Sequence, residues 1–438
     1  MRMKKYKSLS KLELGDLLSE LEMRYDEEKK KGIHLDMSRG KPSSEQLDLS
    51  NGLFAIGEQY ITLEGTDCRN YGELDGILEA RRLFADLLEV PVENTIINGN
   101  SSLNVMYDMI SRGMTHGVNG SKPWCHLDKV KFLCPSPGYD RHFAITEHFG
   151  IEMTVIPLSG TGPDMDLVEK YVSEDAEVKG IWCVPKYSNP QGISYSDETV
   201  RRFASLKPAA ADFRIYWDNA YCTHHLYEDD QDKILELMSE CEKAGNPDLA
   251  LIFSSFSKIS FAGASISATV ASKANLDFIK KSLCIQTIGS DKLNMLRHVK
   301  FFGDIDGIHT HMKKHANILR PKFEVVLSKL ANELADLEIG TWLTPKGGYF
   351  ISFATLPGCA KAVTKLCKEA GVMMTEAGAV YPYGIDPNDS DIRIAPSFPT
   401  VEELGQAMDV FILCVKLASA RMLMEAMLKE KVLSTFEI

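Results

Sequence analysis

The chain has 438 residues, of which 44% are hydrophobic and 25% are charged, and its formal net charge is −12 at pH 7. This composition is typical of a globular protein, and the length predicts a large buried core and more than one domain. The negative charge argues against binding to nucleic acid, whose phosphates it would repel. No apolar run reaches the roughly 20 residues of a membrane helix, and the first residues lack a signal-peptide core, so we expect a cytoplasmic protein.

Residues 1–48 are expected to form a helix followed by an arm. Leucines at 12, 14, 17, 18 and 21 precede a run of charges, which predicts an amphipathic helix over residues 9–31. The stretch that follows, IHLDMSRGKPSSEQLDLS, is rich in turn-forming residues and is expected to be extended. We expect this segment to pack with a smaller C-terminal domain.

Residues 49–305 are expected to form the large domain. Short apolar runs alternate there with helical patterns, at 94–99, 130–138, 152–158, 180–192, 213–221 and 249–258. This alternation predicts an α/β fold with a mostly parallel sheet between helices. Because ligands bind at the carboxyl ends of such strands, the polar residues that end these runs are candidates for a site.

Residues 306–438 are expected to form a smaller α+β domain. The pattern predicts a long helix over 310–335, strands in TWLTPKGGYFISFA, GVMMTEAGAVYP and DIRIAPS, and a helix over 400–427. His309, His311 and His315 lie in the long helix, and the last two share a face. Since no HExxH motif is present, we interpret them as a solvent-facing helix surface and expect no metal.

Four chemically distinctive residues end three successive apolar runs: Asn189, Asp218, Tyr221 and Lys258. A lysine at the end of a buried strand loses hydration, which lowers its pKa and leaves a neutral amine able to form a Schiff base with a carbonyl. A buried aspartate needs a cationic partner, and a protonated pyridine nitrogen is one. Tyrosine and asparagine can hydrogen-bond a phenolic oxygen, so the set indicates pyridoxal 5'-phosphate.

The stretch INGNSSLNVMYDMI supplies a candidate cradle for the cofactor phosphate. Backbone amides at a helix N-terminus, together with Asn100, Ser101 and Ser102, suit a dianion, and Ser255 and Ser257 add donors. Taken singly, these features have plain structural explanations: a solvated lysine, a turn or a helix cap. Their order at the ends of successive strands favours a site.

At these residues the chain resembles the fold-type I pyridoxal-phosphate aminotransferases, the aspartate aminotransferase superfamily, over nearly its whole length. SRGKPSSEQLDLS, NYGELDGILEAR, PSPGYDRHF and SKISFAGAS are similar to a bacterial aspartate aminotransferase subgroup. The resemblance implies a sheet of the seven-stranded type, a smaller α+β domain and a homodimer with shared active sites. It also implies transamination of aspartate with 2-oxoglutarate to oxaloacetate and glutamate.

The resemblance assigns roles to individual residues. Lys258 would form the Schiff base and move the proton between substrate and cofactor, and Asp218 would pair with the pyridine nitrogen. Tyr221 and Asn189 would bond the phenolic oxygen, and Tyr139 would stack on the ring.

Further residues would hold the substrate and the phosphate. Arg393 would bind the substrate α-carboxylate with its planar fork, and Gly40 would lie against that carboxylate. Tyr71 would reach the phosphate of the neighbouring subunit. Arg39 and Arg141 are candidates for the distal carboxylate, with Arg297 a weaker one.

The chain departs from the family pattern at Ser265, where an arginine usually clamps the phosphate. We expect the serine hydroxyls to carry more of the contact, with Lys292 as a further candidate. Other substrates stay open at this stage: an aromatic amino acid, 2-aminoadipate or alanine as donor. A carbon–sulfur lyase is also open, because a fold does not fix a reaction.

Overall fold

The computed structural model describes the backbone of residues 5–436 and the side chains of residues 5–55 and 57–429. The predicted segments 1–48 and 306–438 include residues 1–4 and 437–438, which lie outside the described residues. The α-helices are α1 (Lys11–Lys30), α2 (Ser44–Asp48), α3 (Leu78–Leu88), α4 (Ser102–His116), α5 (Asp140–His148), α6 (Met165–Glu174), α7 (Asp197–Ala204), α8 (Leu237–Lys243), α9 (Lys273–Gln286), α10 (Lys292–Phe302), α11 (Ile305–Leu334), α12 (Ala360–Glu369) and α13 (Val401–Phe436).

The strands are β1 (Leu35–Asp36), β2 (Thr95–Ile97), β3 (Lys131–Ser136), β4 (Glu152–Ser159), β5 (Gly162–Pro163), β6 (Val178–Cys183), β7 (Arg214–Asp218), β8 (Ala250–Ser255), β9 (Ser267–Ala271), β10 (Gly340–Trp342), β11 (Ile351–Thr355), β12 (Val372–Met373) and β13 (Asp391–Ile394). Short 3₁₀ helices cover Tyr6–Ser8, Asn51–Ile56, Val92–Asn94, Trp124–His126, Ala262–Ala264 and Pro382–Gly384.

The large sheet has eight strands among the described residues, in the order β2-β9-β8-β7-β6-β3-β4-β5. Strands β8, β7, β6, β3 and β4 pair in parallel, whereas β9 pairs antiparallel with β8 and β2, and β5 with β4. The predicted mostly parallel α/β sheet is confirmed. Each of the six apolar runs overlaps a strand, but β5 and β9 escaped prediction, because β5 has two residues and β9, with the sequence SATVA, has one apolar side chain larger than that of alanine, Val270.

The sheet is buried on both faces because successive side chains alternate between two cores. Ile181 and Ile215 join one cluster with residues of α3, α7 and α10. Their neighbours Trp182 and Tyr216 join the other, with residues of α4, α5 and α9. Burying each such side chain contributes about 1.5–3 kcal/mol.

A three-stranded antiparallel sheet, β10-β11-β13, lies in a separate core with α12 and α13. Helix α1 packs on α13, and β1 pairs in parallel with β12, so the N-terminal segment shares this core. Helix α11 contributes Ile308 to the large core and Phe323 to the small one. The limits at 48/49 and 305/306 stay predictions, the second lying at the start of this shared helix.

The arm after α1 is more structured than its sequence indicated. It contains β1 and the short helix α2, which begins with a capping box: the backbone N–H of Ser43 donates to Oε1 of Gln46 at 3.1 Å. The side chain of Gln46 is fully buried. Within the described range, none of the helices carries an apolar stretch of membrane-crossing length.

Candidate active site

The residues predicted from the strand ends converge at the carboxyl edge of the large sheet. Strand register places Asp218 opposite Phe253 and Ser255 opposite Ser267. The N–H of Asn98 donates to the carbonyl of Ser267 at 3.0 Å, which brings the loop before α4 to the same edge. The ends of β7, β8 and β2 therefore surround one space.

Lys258 lies in the turn that follows β8 and is half-buried. Its Nζ is 5.0 Å from the centroid of the Tyr221 ring and 6.0 Å from that of Tyr349. Burial lowers the pKa of this amine; the carboxylate of Asp218 opposes the effect and the guanidinium of Arg393 adds to it. The amine is thus suited to act in its neutral form.

Asp218 at the end of β7 is buried, and it has a single partner for its two carboxylate oxygens among the described residues. Oδ2 lies 3.1 Å from Nε2 of His142, whereas Oδ1 has no hydrogen-bond partner there. The imidazole of His142 stacks on Trp182, with centroids 4.5 Å apart, and Tyr139 packs edge-on against it. A buried carboxylate oxygen without a donor is costly, and a protonated ring nitrogen would satisfy it.

Arg393 in β13 reaches from the small sheet to the large domain. Nη1 donates to Oδ1 of Asp140 at 2.9 Å and to Oδ1 of Asn189 at 3.2 Å. The guanidinium lies over the ring of Phe350, 4.8 Å from its centroid. A Cβ at Gly40 would lie 2.2 Å from Cζ of that ring, so only glycine fits there. The structure thus brings Asn189, Arg393 and Gly40 together.

The candidate phosphate cradle lies where β2 leads into α4. Ser101 caps α4, accepting from the N–H of Asn104 at 3.3 Å, and Ser102 is buried. At the end of β8, which β9 separates from β2 in the sheet, Ser255 donates its hydroxyl hydrogen to Ser257 at 3.1 Å. Asn100 is exposed beside them. Helix N–H groups and hydroxyls at one edge can hold an anion.

Ser265, which stands where the family usually has an arginine, and Lys292, a candidate to compensate for it, both make hydrogen bonds within the chain. Ser265 is buried, and its hydroxyl donates to the carbonyl of Ile266 at 3.0 Å. Nζ of Lys292, also buried, donates to the carbonyl of Gly72 at 3.0 Å. One ammonium has three hydrogens, so this contact leaves Lys292 able to bind an anion as well.

The remaining candidates lie at the surface of the single chain. Arg39, Arg141 and Arg297 are exposed, and Tyr71 is 82% exposed. The single chain does not bring these four residues into contact with Lys258.

Several residues around the site were not predicted from the sequence. His142 and Asp140 lie in PSPGYDRHF beside Tyr139, and helical spacing could have placed His142 on the face of Tyr139. Phe350 and Tyr349 come from a loop that no local pattern links to Lys258.

The prediction that the histidines of α11 face solvent is wrong for two of the three. His311 and His315 are buried, while His309 is exposed. The helix packs between both cores, so the face that carries 311 and 315 is covered. Among the described residues, no cluster of three or more His, Cys, Asp or Glu has the geometry of a metal site.

This architecture and site are those of an aminotransferase. The family model described as aspartate amino-transferase matches residues 9–427. An aspartate aminotransferase of Corynebacterium glutamicum is 44% identical over 95% of this chain and 99% of its own length. The crystal structure of an aspartate transaminase from the same organism superposes with a TM-score of 0.93 at 43% identity, covering 96% of this chain and 99% of that one.

The chain belongs to the aspartate aminotransferase family. An α-aminoadipate aminotransferase of Thermus thermophilus also superposes, with a TM-score of 0.71 over 91% of this chain and 95% of that one. At 18% identity that likeness shows the shared fold alone.

Proposed function

We propose that the enzyme transfers the amino group of aspartate to 2-oxoglutarate, giving oxaloacetate and glutamate, with pyridoxal 5'-phosphate held at Lys258. The observation that carries this proposal is the buried Asp218, whose Oδ1 lacks a donor in the described structure, in the same pocket as a lysine of lowered pKa. The carboxylate of Asp218 would accept a hydrogen bond from a protonated pyridine nitrogen, and the neutral amine of Lys258 would bond to a carbonyl carbon.

When bound, the cofactor would supply a ring that accepts electrons from the substrate Cα. The residues of the chain would do the rest. Asp218 would keep the ring nitrogen protonated, and His142, which lies 3.1 Å from its other oxygen, would hold the carboxylate in place. Tyr221 and Asn189 would hydrogen-bond the phenolic oxygen, and Tyr139 would cover the ring.

Lys258 would move the proton at the substrate Cα. Its lowered pKa favours this role, because a general base must be neutral at the working pH. Arg393 would hold the α-carboxylate, since its guanidinium is buried beside Asn189 and backed by Phe350. Gly40 would let the arm approach that carboxylate, and Arg39 or Arg141 would meet the distal carboxylate from the arm or from α5.

The phosphate would lie at the N-terminus of α4, between Asn100, Ser101 and Ser102 on one side and Ser255 and Ser257 on the other. No guanidinium is available at Ser265, so Lys292 is expected to contribute charge. Lys292→Ala should weaken cofactor binding about tenfold, the loss of one charge-assisted hydrogen bond. Equilibrium titration with the cofactor measures this, and unchanged affinity would remove Lys292 from the phosphate site.

The proposal includes a homodimer with shared sites. Leu63 and Tyr71 are 93% and 82% exposed, and Ile285 and Ile288 are 86% and 61% exposed. Ile285 lies in the last turn of α9, and the loop that follows this helix meets the loop of Leu63 and Tyr71 at Gly72, whose carbonyl would lie 2.2 Å from a Cβ at Gly289. Large exposed apolar side chains on adjoining loops indicate an interface, and a second copy would carry Tyr71 to the phosphate.

The cytoplasm is the proposed location. All ten cysteines lie within the described residues and none forms a disulfide, as suits a reducing compartment.

Spectroscopy of the purified enzyme tests the function. Addition of aspartate should remove the visible band of the lysine-linked cofactor and produce pyridoxamine phosphate, and 2-oxoglutarate should reverse the change. A panel of aromatic amino acids, 2-aminoadipate and alanine should give lower kcat/KM than aspartate. Full turnover by Lys258→Ala would refute the assignment of the reactive lysine, and a preferred donor other than aspartate would refute the substrate.

A further inference from the structure

Three buried histidines from three different elements contact the turn that carries Lys258. Nε2 of His224 lies 3.2 Å from the carbonyl oxygen of Lys258. Nε2 of His311, in α11, lies 2.8 Å from the carbonyl oxygen of the next residue, Ile259. Nε2 of His298, in α10, lies 2.8 Å from Oγ of Ser260. Three consecutive positions of the turn are therefore each held by an imidazole.

The partners determine where the ring hydrogens lie. A carbonyl oxygen can only accept, so His224 and His311 carry their hydrogen on Nε2. Nδ1 of His298 lies 2.8 Å from the carbonyl oxygen of Asn294, so this ring carries its hydrogen on Nδ1 and accepts the hydroxyl hydrogen of Ser260 at Nε2. Each of these imidazoles can make its contact to the turn in the neutral form.

Burial keeps the three rings neutral. It lowers the pKa of His311, lowers that of His298 to about 4, and lowers that of His224 well below its usual value. The protonated forms of His315 and Lys258 would repel a proton on His224 and so lower its pKa further. A charged imidazole beside Lys258 would repel its ammonium form, whereas a neutral one positions the backbone without changing the charge of the pocket.

One of the three contacts continues to the substrate side of the pocket. Nδ1 of His315 accepts from the amide of Gln46 at 3.1 Å, so this neutral ring also carries its hydrogen on Nε2. Nε2 of His315 lies 3.1 Å from Nε2 of His311, and because two ring N–H groups do not bond each other, both face the carbonyl oxygen of Ile259. The same amide donates to Oη of Tyr349 at 2.9 Å. The amide orientation is fixed because its oxygen accepts from the N–H of Ser43 at 3.1 Å. The chain of contacts thus joins the arm, α11 and the small domain to the lysine turn.

We propose that His224, His298 and His311 are positioning residues for Lys258, which fix its turn by three hydrogen bonds and so hold the amine in the pocket against Tyr221. This inference rests on the proposed function, in which Lys258 is the reactive amine. The three residues do not touch the substrate; they act through the backbone and hydroxyl groups of residues 258–260. The carbonyl of Ile259 is the position that the arm also holds, because Gln46 orients His315 beside His311 at that carbonyl.

The arrangement explains why the turn needs outside support. Its own backbone bonds run from the N–H groups of Ile259 and Ser260 to the carbonyl of Phe256, at 2.9 and 2.8 Å. The carbonyls of residues 258 and 259 have no such partner in the turn, and they are satisfied by the imidazoles. Without them, buried carbonyls would lack donors, and the turn would shift toward water.

Variants of His311 test the proposal. His311→Leu removes the donor that lies 2.8 Å from the carbonyl of Ile259, and His311→Gln retains an amide donor at a similar reach. His309→Leu, on the exposed face of the same helix, is the matched control. Cofactor is added to the full-length chain freed of cofactor, and its capture by the neutral Lys258 amine is followed by absorbance across pH. Urea unfolding confirms that each variant is folded.

We expect the pH midpoint of capture to rise by about half a unit or more in His311→Leu, because a relaxed turn gives the amine back some of its hydration. Its kcat should fall roughly three- to tenfold, the effect of one hydrogen bond, with KM for the amino donor nearly unchanged. His311→Gln should recover most of both effects, and His309→Leu should match the wild type.

Two results would overturn the inference. One is a folded His311→Leu with the wild-type midpoint and kcat. The other is a His311→Gln variant as impaired as His311→Leu, which would show that the ring fills space and does not position the turn. Both results are separate from a failure of the proposed function, which Lys258→Ala tests: if that variant turns over, Lys258 is not the reactive amine.

Discussion

Replacing Asp140 by asparagine should tighten the binding of carboxylate ligands. Oδ1 of Asp140 accepts from Nη1 of Arg393 at 2.9 Å, so a carboxylate of the chain itself occupies part of the guanidinium fork. Asparagine keeps an acceptor oxygen at the same position, so Arg393 should stay in place while the competing charge is removed.

The size of the effect follows from the exposure of the pair. Two unit charges 4 Å apart attract by about 4 kcal/mol at an effective dielectric constant of 20. The side chain of Asp140 is 33% exposed, against 8% for Arg393, so water screens much of this attraction. Partly exposed pairs contribute about 1 kcal/mol or less, which corresponds to a roughly three- to fivefold change in affinity.

Competitive inhibition by succinate, a dicarboxylate without an amino group, measures this change. We expect the inhibition constant of Asp140→Asn to be about three- to fivefold below that of the wild type. Asp166→Asn is the matched control, since Asp166 also lies in the first turn of a helix and pairs with an arginine, Arg202, at 2.5 Å. An inhibition constant that is unchanged or higher in folded Asp140→Asn would refute the idea that Asp140 competes for the guanidinium.

Three further outcomes are expected. Gly40→Ala should raise KM for aspartate and lower the free energy of unfolding by about 1–3 kcal/mol, because its Cβ would displace Phe350; urea denaturation with wild-type stability would contradict this. In the cofactor-free chain, Lys258→Met should increase stability at neutral pH, because the folded state lowers the pKa of this lysine and so binds fewer protons than the unfolded state. The gain should shrink as the pH rises toward the ordinary lysine pKa of about 10.4, and unfolding curves that show no such trend would contradict it. Leu63→Lys should weaken the dimer in sedimentation, whereas Leu12→Lys, at an exposed leucine of α1, should not; equal effects would place the interface elsewhere.

Much of the fold could be predicted because it depends on local patterns. Apolar runs of strand length separated by helical periodicity indicated the parallel sheet, and each run proved to overlap a strand. Strand β9 was missed because its apolar side chains, Ala268, Val270 and Ala271, are small apart from the valine and alternate with Ser267 and Thr269, so no apolar run marks it, although pairing with β8 buries all five residues. The helix α2 was missed because five residues are too few to show a period.

The candidate site was predicted in its chemistry but not in its contacts. Asn189, Asp218, Tyr221 and Lys258 follow strands, and parallel strands bring their carboxyl ends to one edge, so their convergence follows from the order of the chain. The roles of these residues stay predictions until the variants are measured. The cation for the distal carboxylate was left open, and the single chain shows Arg39 and Arg141 only at its surface.

The sequence by itself determined which chemical groups the protein has and that they would lie at one edge of the sheet. These groups are a lysine, an aspartate and a tyrosine at strand ends, and a serine, Ser265, where the family usually has an arginine. Only the tertiary structure decided that Arg393 meets Asp140 and that His311 lies against the lysine turn. These neighbours are 253 and 52 residues apart in the chain, and they meet because separate elements pack together. A histidine on a helix faces water or a carbonyl according to what covers that helix, and no local pattern contains this information.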